Sequence, residues 1–280
     1  MESQVYQTVE TDTAGSAQDA PDDTVTLIMM PFLGGSWREW TEVMEVLSPP
    51  MRCVGVDLPG FGEAAETKGY SVAEMAEYVT ERVKSLKLKR FLLVGHSMAG
   101  KVAMVVACNA NREPELSGLC GLVLVASSPP SPEPMSDDKR AEMRTSLGMP
   151  SANYRKHAER YIRENASGEL SPQVFERAVS DVLRMNLAAW TAWLDSGSKE
   201  DWSEHVGNLD LEALVVAGDG DKGLGLEGQL KFVMPHLPDA QLEVVAGAAH
   251  LIPMERPVEL AKLIADFVNR VTPKLERRPS

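Results

Sequence analysis

The run GHSMA at 95–99 contains the residues best suited to covalent chemistry, and it follows the apolar run Arg90–Val94. A helical pattern at 101–109 comes directly after it. A strand that turns abruptly into a helix through small-x-Ser-x-small holds the serine hydroxyl on a strained turn, and the flanking residues must be small so that the two elements can approach. The pattern predicts Ser97 as a nucleophile, with the amide of Met98 directed at an anion from the helix N-terminus.

A serine hydroxyl becomes a good nucleophile only when a base takes its proton and an acid orients that base. Among five histidines, His250 lies in the loop GAAHLIP between the last apolar run and the last helical pattern. Open α/β sheets place ligands at such loops. His96 adjoins the serine and is expected to point away from the reacting face. We interpret the remaining histidines as surface or packing residues: His157, His205 and His236. His250 is the predicted base, with a structural loop histidine as the alternative.

Two aspartates, Asp219 and Asp221, follow the apolar run Leu211–Ala217. The orienting acid is expected after a strand and between the serine and the histidine in chain order. A turn that starts at Gly218 leaves Asp221 free to reach the histidine loop, whereas Asp219 lies inside the turn, where its carboxylate would bind nearby amides. Asp221 is therefore the predicted acid. A calcium loop is disfavoured because the spaced oxygen ligands and the final glutamate of an EF-hand do not continue.

The segment around the serine also approaches a phosphate-binding loop, since Gly95, Gly100 and Lys101 have the Gly-x4-Gly-Lys spacing. The next residue is Val102, where such a loop needs a Ser or Thr for magnesium. The following apolar run also leads into serines, and not into the aspartate of a nucleotide-binding site. Both departures disfavour nucleotide binding.

Six short apolar runs are the candidates for the strands that position these side chains. They are rich in β-branched residues and continuously apolar, which is typical of parallel strands covered on both faces. Helical patterns separate them, and Ser-x-x-Glu sequences at Ser71 and Ser36 each predict a capping box. The alternation predicts an α/β fold with a doubly wound, mostly parallel sheet. The runs are Val25–Met30, Arg52–Val56, Arg90–Val94, Gly121–Ala126, Leu211–Ala217 and Gln241–Val245.

One long segment interrupts the alternation after the strand that ends near Ala126. It opens with a proline-rich stretch and continues with three or four helical patterns and no strand-like run. We interpret it as a helical cap inserted into the sheet. The predicted organisation is a polar N-terminal tail at 1–23, a core at 24–127 and 209–271, the cap at 128–208 and a C-terminal tail at 272–280.

Composition restricts the partners. The chain carries 28 Lys and Arg against 41 Asp and Glu, a net charge of −13. This acidity disfavours nucleic acid and anionic membrane surfaces, both of which attract basic proteins. No apolar run approaches the ~18 residues of a spanning helix, and the first residues lack the features of a signal peptide. Three cysteines fit a reducing compartment. The sequence predicts a cytoplasmic globular protein that acts on a small molecule.

The chain resembles the α/β-hydrolase superfamily over roughly residues 25–270, specifically its small capped esterases, a group that also includes C–C-bond hydrolases and haloperoxidase-like enzymes. The resemblance rests on the order Ser97, Asp221, His250, on the serine turn and on the histidine loop. The segment DLPGFG at 57–62 is also similar to a family loop.

Two positions depart from the family pattern. Pro31 and Phe32 stand where the family has His-Gly in its oxyanion turn, and Ala99 replaces a glycine. Leu33 still offers a backbone amide there. The resemblance implies an oxyanion hole formed by the amides of Leu33 and Met98, with no metal and no organic cofactor. A serine nucleophile also disfavours the haloalkane dehalogenases of this superfamily, which use aspartate.

The resulting prediction is a serine esterase for small, uncharged, fairly apolar carboxylic esters. The same residues would serve C–C bond cleavage, lactone hydrolysis or acyl transfer, and a small-molecule receptor on this fold is a further alternative. Phe32, Trp190 and Trp193 are predicted to contact the substrate. For the two tryptophans the reason is that methionine and tryptophan often line adaptable apolar pockets. The alternative role for the two tryptophans is to join the cap to the core.

Overall fold

The computed structural model describes residues 25–47, 51–149 and 151–275. The predicted N-terminal tail at 1–23 lies outside these residues, as do residues 276–280 of the predicted C-terminal tail. Residues 272–275 were also assigned to that tail, but they continue the last helix, which ends at Leu275.

Six parallel strands form one sheet in the order β2-β1-β3-β4-β5-β6, which confirms the predicted doubly wound parallel fold. The chain moves outward from β1 to β2 and then returns to the other side of β1 with β3. The carboxyl ends of β1 and β3 therefore adjoin the switch point at which ligands bind in open α/β sheets. The strands are β1 (Thr26–Met30), β2 (Arg52–Gly55), β3 (Phe91–His96), β4 (Leu119–Val125), β5 (Ala213–Gly218) and β6 (Gln241–Val245).

The strand interiors match the predicted apolar runs, and the differences lie at the ends. The third strand continues two residues beyond the predicted Val94, to His96, because these residues pair with β4 up to Val125. The fifth begins at Ala213 and not at Leu211. Strand ends depend on pairing with a neighbour, which an apolar run alone does not define.

Eleven α-helices lie within the described residues. They are α1 (Thr41–Leu47), α2 (Val72–Leu86), α3 (Met98–Asn109), α4 (Asp137–Leu147), α5 (Tyr154–Glu164), α6 (Pro172–Arg184), α7 (Leu187–Asp195), α8 (Ser203–Val206), α9 (Leu226–Gly228), α10 (Ile252–Glu255) and α11 (Pro257–Leu275). None of the helices in this part of the chain is both long and apolar enough to cross a membrane.

One of the two predicted capping boxes forms. Ser71 accepts the amide of Glu74 and the Glu74 carboxylate accepts the amide of Ser71, so this box begins α2. At the other position, Ser36 accepts the amide of Arg38 at the start of a short 3-10 helix, while the side chain of Glu39 is buried and directed elsewhere. The capping-box prediction at Ser36 is therefore wrong.

Helices α4 to α8 (residues 137–206) lie between β4 and β5 and are called the helical segment below. Residues 172–195 form two helices, α6 and α7, and not one continuous helix. Met185 adopts an extended conformation, and the side chain of Asn186 accepts the amide of Ala188 to begin α7. Asparagine is among the preferred residues at this position, which explains the break.

The sheet separates two apolar clusters. Side chains of β1 alternate between them: Ile28 and Met30 belong to the cluster that includes α2, α3 and the helical segment, whereas Leu27 and Met29 belong to the cluster with α1 and α11. Burial on both faces explains why the strand runs are continuously apolar.

Candidate active site

Ser97 lies in the turn between β3 and α3, in a conformation that side chains rarely adopt (φ 54°, ψ −118°). Its amide donates to the carbonyl of Val125 at 2.9 Å, which fixes the turn against β4. A Cβ at Gly95 would lie 2.6 Å from the carbonyl oxygen of Ala99, so strand and helix approach as closely as the small residues allow. Such backbone strain costs of order 1–3 kcal/mol and is typical of functional turns.

Three side chains from three loops form one hydrogen-bonded series. His250 Nε2 lies 2.9 Å from Ser97 Oγ, and His250 Nδ1 lies 2.8 Å from Asp221 Oδ2. Because a carboxylate oxygen only accepts, the proton of a neutral His250 resides on Nδ1, and Nε2 is left to accept the serine hydroxyl proton. A neutral imidazole in this orientation can deprotonate the serine as it attacks an electrophile.

The charges of this series support that proton arrangement. Burial alone would raise the pKa of Asp221, but His250 and the amides of Leu224 and Gly223 lower it to about 2, so the side chain is a carboxylate. Burial alone would lower the pKa of His250, yet the Asp221 carboxylate, with smaller contributions from other acidic side chains nearby, raises it above its ordinary value.

The two competing aspartates have different partners. Asp221 also accepts the amides of Gly223 (2.8 Å) and Leu224 (3.0 Å) through Oδ1, so it orders its own turn as well as contacting His250. Asp219 accepts the amide of Gly247 at 2.8 Å. The prediction that Asp219 binds amides within its own turn is wrong, because this amide belongs to the histidine loop, 28 residues further along the chain.

The backbone around His250 is held by the helical segment and by Glu255. The carbonyl of Asn165 accepts the amides of His250 (3.0 Å) and Leu251 (3.2 Å). Glu255 Oε1 accepts the amides of Ala249 and Leu251 at 3.0 and 3.1 Å. The position of the imidazole is therefore determined partly by residues that precede it by about 85 positions.

The predicted oxyanion donors are the amides of Leu33, in the loop after β1, and of Met98, which directly follows Ser97. Met98 is the first residue of α3, where amides lack intrahelical acceptors. Leu33 lines the same cavity as Ser97, and its carbonyl accepts the hydroxyl of Tyr161 at 3.0 Å. Tyr161, which the sequence analysis did not single out, therefore fixes the peptide that follows β1.

Glu39 and His96 form a buried pair beneath the site. Their side chains are 2% and 0% exposed, and Glu39 Oε1 lies 2.7 Å from His96 Nδ1. Glu39 Oε2 accepts the amide of Phe32 at 3.3 Å, and His96 Nε2 lies 2.8 Å from the carbonyl of His250. The spacing from Ser36 predicts a capping role for Glu39, which its burial against His96 contradicts. The prediction that His96 points away from the reacting face agrees with its contacts to Glu39 and to the carbonyl of His250.

A cavity of about 670 Å³ opens above Ser97 and His250. Its lining includes the buried apolar side chains of Leu33, Leu147 and Trp193, together with Tyr161. Leu147, Tyr161 and Trp193 belong to the helical segment. The cavity is within the size range of small-molecule sites.

Of the three predicted substrate contacts, only Trp193 lines this cavity. Phe32 and Trp190 are 1% and 0% exposed and pack against Tyr161, with ring centroids at 6.2 and 5.2 Å. The prediction of substrate contact is wrong for Phe32 and Trp190. Tyr161 lines the cavity instead, and the rings of these two residues pack against it.

The cavity rim is charged. Lys139, Glu142, Arg160 and Glu164 are each about half exposed, and both cations lie within 4 Å of both carboxylates. Glu133 also lines the cavity, where burial raises its pKa, and it accepts the hydroxyl of Ser128. The lining is thus more polar than the sequence analysis predicted.

The remaining histidines lie away from Ser97 or at the cavity wall. His157 lines the cavity. His205 lies 3.2 Å from the side chain of Asn109, and His236 lies 2.7 Å from the carbonyl of Gly207.

Comparison with known proteins reveals similarity along most of the chain. A model of the alpha/beta hydrolase family matches residues 31–263. The putative 2-succinyl-6-hydroxy-2,4-cyclohexadiene-1-carboxylate synthase of Bacillus subtilis strain 168 is 25% identical over 268 residues, which cover 91% of this chain and 94% of that protein. The synthase of the same name from Citrobacter koseri is 31% identical over 103 residues, so that match spans 37% of this chain and only 38% of that protein.

Among solved structures, an esterase from Exiguobacterium antarcticum superimposes with a TM-score of 0.77. The alignment covers 88% of this chain and 92% of the esterase, at 16% sequence identity. At this identity the similarity establishes the fold and not the reaction.

Proposed function

The chain belongs to the alpha/beta hydrolase family, and we propose that it is a serine hydrolase that cleaves carboxylic esters through an acyl-enzyme. The observation that supports this most directly is the hydrogen-bonded series from Asp221 through His250 to Ser97, which ends in the cavity. The fold alone would not justify the proposal, because this fold accommodates many reactions.

In the proposed reaction, Ser97 Oγ attacks the ester carbonyl carbon while His250 Nε2 accepts the hydroxyl proton. The tetrahedral intermediate collapses as His250 returns that proton to the leaving alcohol oxygen. Water then attacks the acyl-enzyme by the same proton route and releases the acid. Asp221 remains ionised throughout and stabilises the imidazolium, consistent with its lowered pKa of about 2.

The oxyanion would accept hydrogen bonds from the amides of Leu33 and Met98. Tyr161 supports this role for Leu33, because its hydroxyl holds the carbonyl of the same residue and so restricts the Leu33 backbone next to the donor amide. Loss of one such donor typically lowers turnover by about 10²–10³. The proposed hole thus depends on the helical segment as well as on the core.

The cavity favours an ester with an apolar acyl group. Leu147 and Trp193 are almost completely buried and would cover that group, while the charged rim would face the more polar alcohol portion. The rim cations Lys139 and Arg160 are neutralised by adjacent carboxylates, so the wall offers little attraction for a polyanionic substrate.

A second candidate is a reaction of the kind for which the B. subtilis relative is named, supported by the match over 91% of this chain. The name describes a cyclohexadiene carboxylate that carries a succinyl group, so its product is an anion. C–C bond cleavage, lactone hydrolysis and acyl transfer would use the same three side chains. The paired rim charges favour the neutral ester over the anionic compound.

The test is turnover of p-nitrophenyl esters of graded acyl length, with p-nitrophenyl hemisuccinate as the anionic member. We expect saturable hydrolysis of the neutral esters, stoichiometric labelling of Ser97 by a fluorophosphonate, and neither in Ser97→Ala. Turnover of the anionic hemisuccinate without turnover of the neutral esters would favour the second candidate. Ester turnover that persists in Ser97→Ala would refute the proposed mechanism, and tight ester binding without turnover would indicate a receptor.

A further inference from the structure

We propose that Glu39 and His96 form an uncharged positioning pair that shares one proton. The pair holds the loop after β1, which contains Leu33, and the loop after β6, which contains His250, in fixed relative positions. The proposal rests on the proposed function, since it concerns how the base and an oxyanion donor are placed. Neither residue touches the reacting atoms, so both would act through the backbone.

The hydrogen-bond partners determine the proton positions. The carbonyl oxygen of His250 only accepts, so His96 Nε2, at 2.8 Å, must carry a proton and donate it. One proton remains for the 2.7 Å contact between His96 Nδ1 and Glu39 Oε1. It resides either on Glu39, which gives a neutral pair, or on His96, which gives an ion pair.

The surroundings favour the neutral pair. Both side chains are almost completely buried, which disfavours either charge. Burial lowers the pKa of His96 to about 3, and it raises the pKa of Glu39 well above its ordinary value, assisted by nearby Asp181. The ring of His96 also lies 5.2 Å from that of His250, so a charged His96 would repel the imidazolium that forms during turnover.

The pair connects two loops that follow different strands. Glu39 Oε2 accepts the amide of Phe32, the residue before Leu33, and His96 donates to the carbonyl of His250 itself. Gly35 leaves room for this arrangement, because a Cβ there would lie 2.5 Å from the Phe32 ring and 2.8 Å from Glu39 Oε2. The distance between the proposed oxyanion donor, Leu33, and the proposed base, His250, therefore depends on the side chains of Glu39 and His96.

Glutamine is a close mimic of a protonated glutamate. In Glu39→Gln the amide nitrogen can donate to His96 Nδ1 while the amide oxygen accepts from Phe32, so we expect kcat within about threefold of the wild type. Glu39→Leu provides neither group, and we expect kcat to fall about 10²-fold with KM nearly unchanged, as a misplaced catalytic group does. Thr80→Val is the control, because it removes a buried hydrogen bond within α2, a helix that contributes no residue to the cavity lining.

Two further measurements do not depend on turnover. Nitrogen NMR of the His96 ring should give a protonated Nε2 and an unprotonated Nδ1 in the wild type. Hydrogen exchange in Glu39→Leu, but not in Thr80→Val, should accelerate at both loops, around 32–35 and 248–251.

Each of these measurements has an outcome that would overturn part of the proposal. Two protonated ring nitrogens in His96, or a Glu39→Gln variant as impaired as Glu39→Leu, would overturn the uncharged pair. Full kcat in Glu39→Leu would overturn the positioning role. Should Glu39→Leu fail to fold, Glu39→Gln and the wild-type ring signals still test the pair. Ester turnover in Ser97→Ala would refute the proposed function instead, while ring protonation and exchange would still be measurable.

Discussion

The carbonyl oxygen of Asn165 accepts the backbone amide of His250 at 3.0 Å, so the helical segment is bonded directly to the loop of the proposed base. Ser167, two residues later, donates its hydroxyl to the carbonyl of Gly247 at 2.6 Å. A helical segment that served only as a lid would need no such contacts. Here, movement of Asn165 or Ser167 away from the sheet would break hydrogen bonds to the loop that carries His250.

The strained turn predicts opposite effects on activity and stability at Ser97. Glycine tolerates its positive φ without strain, so we expect Ser97→Gly to lose turnover and to be more stable than the wild type by about 1 kcal/mol, or about 2–4 °C in Tm. Ser97→Ala loses the same hydroxyl but keeps the Cβ, and it should gain no such stability. Thermal unfolding of the three proteins provides the measurement, and equal Tm values for glycine and alanine would contradict the strain.

The raised pKa of His250 predicts the pH profile. The base must be neutral, so kcat/KM should rise with pH, and its midpoint should lie above the ordinary histidine value of ~6.5. Asp221 is the main cause of the upward shift, so the midpoint should fall in Asp221→Asn. A midpoint that does not move between these two proteins, with the chemical step rate-limiting, would exclude His250 as the titrating base.

Some site residues could be predicted from the sequence, because their roles depend on neighbouring residues in the chain and show in the local spacing. The turn at Ser97 and the loop at His250 each follow a strand, and parallel strands place such turns at one edge of the sheet. The distinction between Asp219 and Asp221 could be drawn from turn geometry for the same reason, although Asp219 binds an amide outside its own turn.

Residues whose partners are distant in the chain could not be assigned in this way. Glu39 has the spacing of a capping box, and only the burial of its side chain against His96 distinguishes the two roles. Tyr161 lies within an ordinary helical pattern, and its hydroxyl donates to the carbonyl of Leu33, 128 residues away in the chain. No local pattern encodes either contact, since each depends on how the helical segment or the first loop packs on the sheet.

The Tyr161 hydroxyl is expected to affect the chemical step more than binding. Tyr161→Phe keeps the ring that packs against Phe32 and Trp190 and removes only the hydrogen bond to the Leu33 carbonyl. We expect kcat to fall about tenfold with little change in KM, because the oxyanion donor is less well oriented. Steady-state kinetics on a neutral ester measures both constants. Tyr154→Phe, on the same helix, is the control, and an equal loss in both variants would indicate a general effect on α5.

The last prediction separates the two aspartates. Asp221→Asn should retain the fold, because an amide oxygen can still accept the amides of Gly223 and Leu224, but its other group can no longer accept from His250 Nδ1 as a carboxylate does. The imidazole then favours the wrong tautomer, a change that lowers turnover by about 10⁴ in serine proteases with the same three groups. Asp219→Asn keeps an oxygen for Gly247 and should retain most turnover. We would measure kcat and Tm for both variants. A folded, inactive Asp219→Asn beside an active Asp221→Asn would assign the acid to Asp219.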